Sequence, residues 1–371
     1  MKKAEYFSEQ DKAYMKIALD LSRRGLGIVF PNPSVGCVLV RNGHIIGRGW
    51  TGAGGRPHAE QNALEFAGNA ENSVAYVTLE PCSHHGKTPP CAQAFINAKV
   101  AKVIVATGDP DPRVNGNGIR MLEEAGIEVQ LGLLQEEADY VNQGFFQRIK
   151  ERRPLITVKI ASTKDGKIAK AEGEQYWVTG PLSRKRGHLY RATHDAIMVG
   201  IDTVMTDDPT LDCRINGLEN RSPIRVVLDS HLRIKPHSKL CKSAEEIPLW
   251  IMTTVSDTKK YAELEKRGAK IFCIEKDEMG RVNIGQVMEV LSGEGITRLL
   301  AEGGAKLNAS LIRASLVDRL LWFKSEDSIG ETGVDALYDI PIENLGKYLN
   351  LSLVDEGETP PDHWQEFRIK R

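Results

Sequence analysis

The chain has 371 residues, 41% of them hydrophobic and 27% charged, the balance of a soluble globular protein long enough for two or three domains. Its 49 Lys plus Arg stand against 50 Asp plus Glu, so no global positive field draws it to nucleic acid or an anionic membrane, and a small partner is expected. MKKAEYFSEQDKAYMKIALDL lacks the apolar core of a signal peptide, and six cysteines are too few for a disulfide scaffold, so the sequence reads as cytoplasmic.

Ser8 to Gly25 carries a helix-start signal, apolar spacing at Ile17, Ala18 and Leu21, and a closing glycine, and predicts an amphipathic helix. VGCVLV and HIIGRGW follow as β-rich runs joined by Asn42-Gly43, the dipeptide of a tight primed turn. The stretch RPHAEQNALEFAG starts a helix, and SVAYVTLE, CAQAFINA, KVIVATG, GIRMLEEAG and IEVQLGL then alternate strand with helix. One α/β domain is expected over 1-148. The basic run around Arg148, Lys150, Arg152 and Arg153 reads as a solvated linker, 149-154, because no aromatic residues interleave with it. A second α/β domain is expected over 155-371 from LITVKI, AIMVG, IRVVLD, LWIMT, KIFCIE and RLLAEGG, with the last forty or so residues the least readable. Cys37, Cys213, Cys241 and Cys273 stand alone and read as structural residues. His44 reads as an ordinary strand histidine.

The first half concentrates its chemistry in two stretches, RPHAEQNALEFAG and LEPCSHHGKTPPCAQAF. His58, Cys82 and Cys91 supply one nitrogen and two sulfurs, the three protein ligands of a catalytic zinc whose fourth position is left to water. Residues two apart do not share a helix face, so His58 and Glu60 reach one centre only if His58 sits at the very start of the helix. Glu60 then stays off the metal and moves protons. This is the H-x-E, P-C signature of the zinc nucleobase deaminases, with Pro81 included. The departure is the cysteine spacing: Ser83 to Pro90 separate the two thiols instead of the usual two residues. The inserted His84, His85, Lys87 and Thr88 suit an anionic group such as a phosphate. A structural zinc closed by His84 or His85, a Cys82–Cys91 disulfide and coincidence are the rival readings, and the first leaves Glu60 unexplained.

The second half has no G-x-G-x-x-G after a strand and no phosphate-loop motif. Gly303 and Gly304 lie between a strand and a helix, where backbone N–H groups approach an anion such as a dinucleotide pyrophosphate; from those residues alone a ligand-free glycine turn is the preferred reading. TVMTDDPTLDCR reads as a polar loop after AIMVG, where α/β folds place ligands.

Taken in order, NPSVGCVLV, HAEQNAL, EPCSHHGKTPPC, GDPDPRVNGNGIRMLEEAGIEV, DGKIA, WVTG, DTVMTDDPTL and AEGG resemble the bifunctional deaminase and reductase family of riboflavin biosynthesis from about residue 12 to 325. The resemblance implies a cytidine-deaminase-like three-layer α/β/α domain followed by a dihydrofolate-reductase-like α/β domain. It implies Zn2+ and NADPH, and a diaminopyrimidinone bearing a phosphoribosylamino group that is deaminated to a uracil derivative, whose ribose is then reduced to a ribityl chain. By the same resemblance Ala161, Trp177, Thr203, Asp207, Ser230 and the segment from Gly304 align with nicotinamide-dinucleotide contacts. Arg191, Leu211, Arg214 and Glu302 align with substrate contacts, Gln175 stands at a substrate position where the family usually has serine, and Asp202 stands where glycine is common. Lys159 and Glu302 are candidates for proton handling, and Asn32 for touching the base or ribose. A homo-oligomer, dimer or tetramer, is the expected assembly. The rival reading is a nucleic-acid or nucleoside editing deaminase with an appended domain, against which the neutral charge speaks.

Overall fold

A computed structural model describes residues 7–83, 89–112, 114–171 and 176–371. The chain divides into two compact units, Met1–Glu151 and Arg152–Arg371.

In the first unit Ser8 caps α1 (Glu9–Ser22) through a reciprocal capping box with Asp11, and the chain then tightens into a short 3-10 turn, Arg23–Gly25. Strands β1 (Gly36–Arg41) and β2 (His44–Trp50) form the expected hairpin, with Asn42 and Gly43 at φ 53° and 76°. Next come α2 (Ala59–Ala67), β3 (Val74–Val77), α3 (Cys91–Asn97), β4 (Lys102–Val105), α4 (Asn117–Glu124), β5 (Glu128–Leu131) and α5 (Gln135–Glu151). The sheet order is β2-β1-β3-β4-β5, with β3, β4 and β5 parallel and β1 antiparallel to its neighbours. Alternation along β1 feeds two cores. Cys37 and Leu39 pack with Ala59, Ala63, Phe95 and Leu122 of α2, α3 and α4, while Val38 and Val40 pack with Met15, Ala18 and Ala138 of α1 and α5. This is the expected three-layer α/β/α arrangement. His44 is exposed at the start of β2, and of the four cysteines read as structural Cys37, Cys213 and Cys241 are buried while Cys273 is exposed.

The basic run is solvated only in part, since Lys150 and Arg152 are exposed but Arg153 is not. α5 continues to Glu151, and Arg153 is buried, its guanidinium paired with both oxygens of Asp318 at 2.7 and 2.9 Å. A charge two positions beyond a helix end found a buried carboxylate 165 residues away, which composition cannot foretell.

The second unit contains β6 (Leu155–Ser162), β7 (Lys167–Ala169), α6 (Pro181–Ala192), β8 (Ala196–Gly200), α7 (Ile201–Asp207), β9 (Ile224–Leu228), α8 (Lys239–Lys242), β10 (Leu249–Thr253), α9 (Ala262–Glu265), β11 (Ala269–Cys273), α10 (Ile284–Gly293), β12 (Arg298–Ala301), α11 (Ala305–Arg313), β13 (Arg319–Lys324), β14 (Val334–Asp335), α12 (Leu345–Tyr348), β15 (Leu351–Thr359) and β16 (Asp362–Ile369). Nine strands form one sheet in the order β11-β10-β9-β8-β12-β6-β13-β16-β15. From β11 to β13 neighbouring strands are parallel, and β16 and β15 add an antiparallel edge. The chain steps outward from β8 to β11 and returns to insert β12 between β8 and β6. That reversal opens a crevice at the carboxyl ends of β8 and β12, where parallel sheets bind ligands. Residues 203–207, the first part of the stretch 203–214 expected as a polar loop, belong to helix α7: Ile201 and Val204 are buried and draw its first turn onto the core. Among the described residues no helix is long and apolar enough to cross a membrane.

Candidate functional site

His58 is the N-cap of α2, in an extended conformation, so its ring is free of the helix face that Glu60 occupies one turn in. Close packing fixes that helix start. A Cβ on Gly49 would stand 2.3 Å from the Ala59 carbonyl oxygen, so α2 lies directly on the backbone of β2, and Asn62 Nδ2 donates to the Trp50 carbonyl at 2.8 Å. Cys82 follows β3, and Cys91 is the first residue of α3.

His58 Nδ1 lies 3.2 Å from Cys91 Sγ and 3.6 Å from Cys82 Sγ, and the Cys91 backbone N–H donates to Cys82 Sγ at 3.3 Å. All three ligand atoms lie within 4.8 Å of one another, and both cysteines are free thiols. One nitrogen and two sulfurs at these separations fit a shared tetrahedral centre with bonds of about 2.0–2.3 Å. The Cys91 thiol and the His58 ring both donate toward Cys82 and pull its thiol down against burial, while the same exchange and burial push Cys91 up. Glu60 is 4% exposed. Burial raises its carboxyl to about 7, against the opposing pull of His58.

Sequence reasoning passed over Glu80, which precedes Pro81-Cys82. Its buried carboxylate accepts the backbone N–H groups of Gly116 and Gly118 at 3.0 Å each, with Asp109 and Ile119 at 3.3 and 3.4 Å. It therefore caps α4 and ties the 109–116 loop to the segment carrying Cys82. A Cβ on Gly118 would meet the Pro81 carbonyl at 1.9 Å, so the glycine is needed for that approach. The available signal was a glutamate beside the P-C motif with a glycine-rich loop downstream. His84, His85, Lys87 and Thr88 lie outside the described residues. The Asn32 amide donates weakly to the Val29 and Gly54 carbonyls at 3.4 Å.

The crevice of the second unit is a cavity of about 360 Å3 whose lining includes Trp177, Thr203, Asp207, Arg191, Leu211, Arg214 and Glu302 together with Lys159 and His188. Arg191 holds Glu302 through Nε and a terminal nitrogen at 2.8 and 3.0 Å and donates its other terminal nitrogen to the Asp212 carbonyl at 2.9 Å. Lys159 Nζ stands 3.8 Å from Glu302. Burial pushes the Glu302 carboxyl up, but the Arg191 and Lys159 charges outweigh it and hold it at about 2. Burial lowers Lys159. Arg191 is thus engaged with Glu302 and the Asp212 carbonyl, whereas Arg214 is largely exposed beside Asp212. The loop between α7 and β9 is held at positive φ by Asp208 (39°) and Leu211 (55°), uncommon backbone for side-chain residues at a ligand crevice.

Three of the expected cofactor residues are not in the cavity lining. Ala161 lies two residues beyond Lys159 on the same face of β6, paired with Phe323. Gly304 caps α11 and adjoins Thr203, whose Oγ1 would be 3.7 Å from a Cβ there. Ser230 follows β9, where its hydroxyl accepts the Val282 N–H. Gln175 lies outside the described residues. Asp202 is exposed and pairs with Arg233 at 2.6 Å. A cavity bounded by the Trp177 ring and by residues of α6 and α7, with the Gly304 cap of α11 adjoining Thr203 outside the lining, fits a nicotinamide dinucleotide. His188 was missed; its three-residue spacing from Arg191 along α6 was the signal.

Residues 8–107 match the cytidine and deoxycytidylate deaminase zinc-binding region, and residues 154–344 match the RibD C-terminal domain. The chain is 41% identical to the riboflavin biosynthesis protein RibD of Haemophilus influenzae over 95% of its own length and 99% of the relative's. It is 37% identical to RibD of Escherichia coli over 93% and 99%. Its structure resembles that of Acinetobacter baumannii RibD with a TM-score of 0.88 at 33% identity, over 98% of this chain and 99% of that one. A Thermotoga maritima diaminohydroxyphosphoribosylaminopyrimidine deaminase/5-amino-6-(5-phosphoribosylamino)uracil reductase gives 0.84 at 31%, over 97% and 99%. A cytidine-deaminase-like unit with a closed His-Cys-Cys set and a dihydrofolate-reductase-like unit with a dinucleotide crevice, joined in the order of these relatives, place the chain in the RibD family of riboflavin biosynthesis, bifunctional enzymes that deaminate with Zn2+ and reduce with NADPH.

Proposed function

We propose that the first unit deaminates the diaminohydroxyphosphoribosylaminopyrimidine named for the Thermotoga relative and that the second reduces the resulting 5-amino-6-(5-phosphoribosylamino)uracil to its ribityl form. The carrying observation is the convergence of His58, Cys82 and Cys91 with a buried Glu60 that is not one of the three donors. In this reading those three residues hold the metal, which when bound makes water a nucleophile at neutral pH. Glu60 takes a proton from that water and delivers it to the leaving amine. Its burial excludes bulk water from the exchange.

In the reductase crevice NADPH, when bound, supplies the hydride. Trp177, Thr203, Asp207 and the Gly304 helix start contact the dinucleotide, with Ala161 and Ser230 completing its path, while Leu211 and Arg214 contact the substrate. Glu302, held charged by Arg191, accepts hydrogen bonds from the ribose, and Lys159 beside it is the cation best placed to donate a proton. Gln175 keeps its proposed substrate role on resemblance alone. The protein works in the cytoplasm on a small molecule, as a homo-oligomer.

Zinc content, ammonia release and NADPH oxidation, measured on purified protein with each pyrimidine in turn, test this reading. About one zinc per chain, lost in Cys91→Ala together with ammonia release, is expected. Full deamination by metal-free protein, or activity on cytidine or tRNA in place of the pyrimidine, overturns it.

A further inference from the structure

The C-terminal hairpin of β15 and β16 lies beyond residue 344, where the match to the RibD C-terminal domain ends. It contributes no residue to the lining of the reductase cavity. It nevertheless holds the helix that does. Asp362, 1% exposed at the start of β16, accepts the Gly180 N–H at 2.7 Å and the Ser183 hydroxyl at 2.6 Å through the same oxygen, Oδ2. With the Ser183 proton committed there, Thr359 donates to Ser183 Oγ at 2.8 Å. Further along α6, the Arg186 guanidinium lies 3.3 Å from the centroid of the Trp364 ring, and the Tyr190 hydroxyl donates to Glu366 at 2.6 Å.

The spacing divides α6 into two faces. Residues 183, 186 and 190 face the hairpin, while Arg184, Gly187, His188 and Arg191 line the cavity, whose wall Ser183 also reaches at the helix start. Helices are rigid on this length scale, so whatever seats the first face aims the second. β16 is itself paired along its length to β13, from Arg319↔Arg368 to Lys324↔His363, so the anchor is part of the sheet.

We infer that the β15–β16 hairpin is the positioning element of the reductase site, with Asp362 as the residue that fixes the start of α6 and, through it, the Arg191–Glu302 pair. Asp362 touches neither substrate nor cofactor. It acts through α6, and its loss moves the substrate side of the crevice while leaving Thr203 and Asp207, which belong to α7, in place. This rests on the substrate reading proposed above.

The experiment compares Asp362→Ala, Asp362→Asn and the milder Tyr190→Phe in the full-length protein. Steady-state NADPH oxidation is measured with the aminouracil phosphate, NADPH affinity by fluorescence titration, and hydrogen exchange of residues 180–192 without substrate. For Asp362→Ala the KM for the uracil compound should rise about tenfold, on the way to the roughly 10²-fold that an ångström of misplacement costs. Ammonia release should stay at wild-type levels, NADPH affinity should fall less than the KM rises, because Trp177 lies against Arg184 at the start of α6 while Thr203 and Asp207 belong to α7, and exchange should quicken in α6 but not in α7 or α11. Asp362→Asn should recover most of the loss, because its amide oxygen still accepts from Gly180 and Ser183. Tyr190→Phe should show the same pattern, smaller. Wild-type KM and exchange in folded Asp362→Ala, an Asn variant as impaired as Ala, or a fall in kcat with both affinities unchanged overturns the inference. If wild-type protein does not reduce the uracil compound, the substrate reading fails instead, and exchange with NADPH affinity still decides the anchor.

Discussion

Two buried glutamates, one in each unit, sit in opposite fields. Burial raises Glu60, His58 is the largest opposing influence, the Cys82 charge adds to the rise, and its carboxyl is lifted to about 7. Glu302 is nearly as buried but faces Arg191 and Lys159, and is held at about 2. The same side chain is thus left protonatable near neutral pH in one place and held as an anion in the other. Burial is common to both, and what separates them is the sum of neighbouring charges: Arg191 and Lys159 around Glu302, against His58 offset by Cys82 around Glu60. Metal-ligand geometry separates the units further: in the first, three donors from three different segments converge on one point, whereas the second builds its crevice from an ion-paired wall and a strand-order reversal.

The contrast is broken most directly by Glu60→Gln. It should retain zinc and fold, lose deamination by roughly 10²- to 10⁴-fold, and leave reduction of the supplied uracil compound intact. Loss of both activities in a folded variant, read from ammonia and NADPH absorbance separately, would end the two-site assignment.

Arg191→Ala should act as a charge defect. With Glu302 left to Lys159 alone, the second unit should lose about 3 kcal/mol of stability, the lower end for breaking a buried pair. Reduction should collapse while ammonia release continues. Denaturation followed by tryptophan fluorescence reads this unit, since Trp177, Trp250, Trp322 and Trp364 lie in it and Trp50 alone does not. An unchanged midpoint would show that the pair carries no net stability.

Glu80→Ala is the counterpart in the first unit. It strands the N–H groups that the carboxylate accepts, at a cost of about 1–3 kcal/mol for buried donors, and should weaken zinc retention in competition with a chelator. Zinc retention equal to wild type would confine Glu80 to capping α4.

The smallest effect is the pH dependence. Glu302 is depressed from an ordinary 4.5 to about 2 in the folded protein, so its contribution is complete above pH 4.5 and is lost as pH falls toward 2. Wild-type stability of the second unit should therefore drop more steeply over that window than that of Glu302→Gln. Parallel curves would mean that Glu302 is not held charged.

The zinc set was legible because its chemistry is local in sequence: an H-x-E at a helix start and two cysteines around a short insertion leave few alternatives. The hairpin at Asn42-Gly43 and the parallel strands were legible for the same reason, since turn chemistry and apolar runs are written within ten residues. The errors share a cause. Arg153, α7 and the final hairpin each depend on a partner distant in the chain: Asp318 for the first, the core beneath Ile201 and Val204 for the second, β13 for the third. Polar composition alone made them read as linker, loop and unreadable tail.

By itself, then, the sequence named the residues proposed to carry the chemistry, because ligand type and reactive group are properties of side chains. It also determined that two α/β units would form, because strand and helix periods are local. Only the tertiary structure decided what state those residues are held in. Insertion of β12 beside β8 opened the crevice, the approach of Arg191 fixed Glu302 as an anion, and Asp362 seated α6, since fields and packing arise from groups that the chain brings together only when it closes on itself.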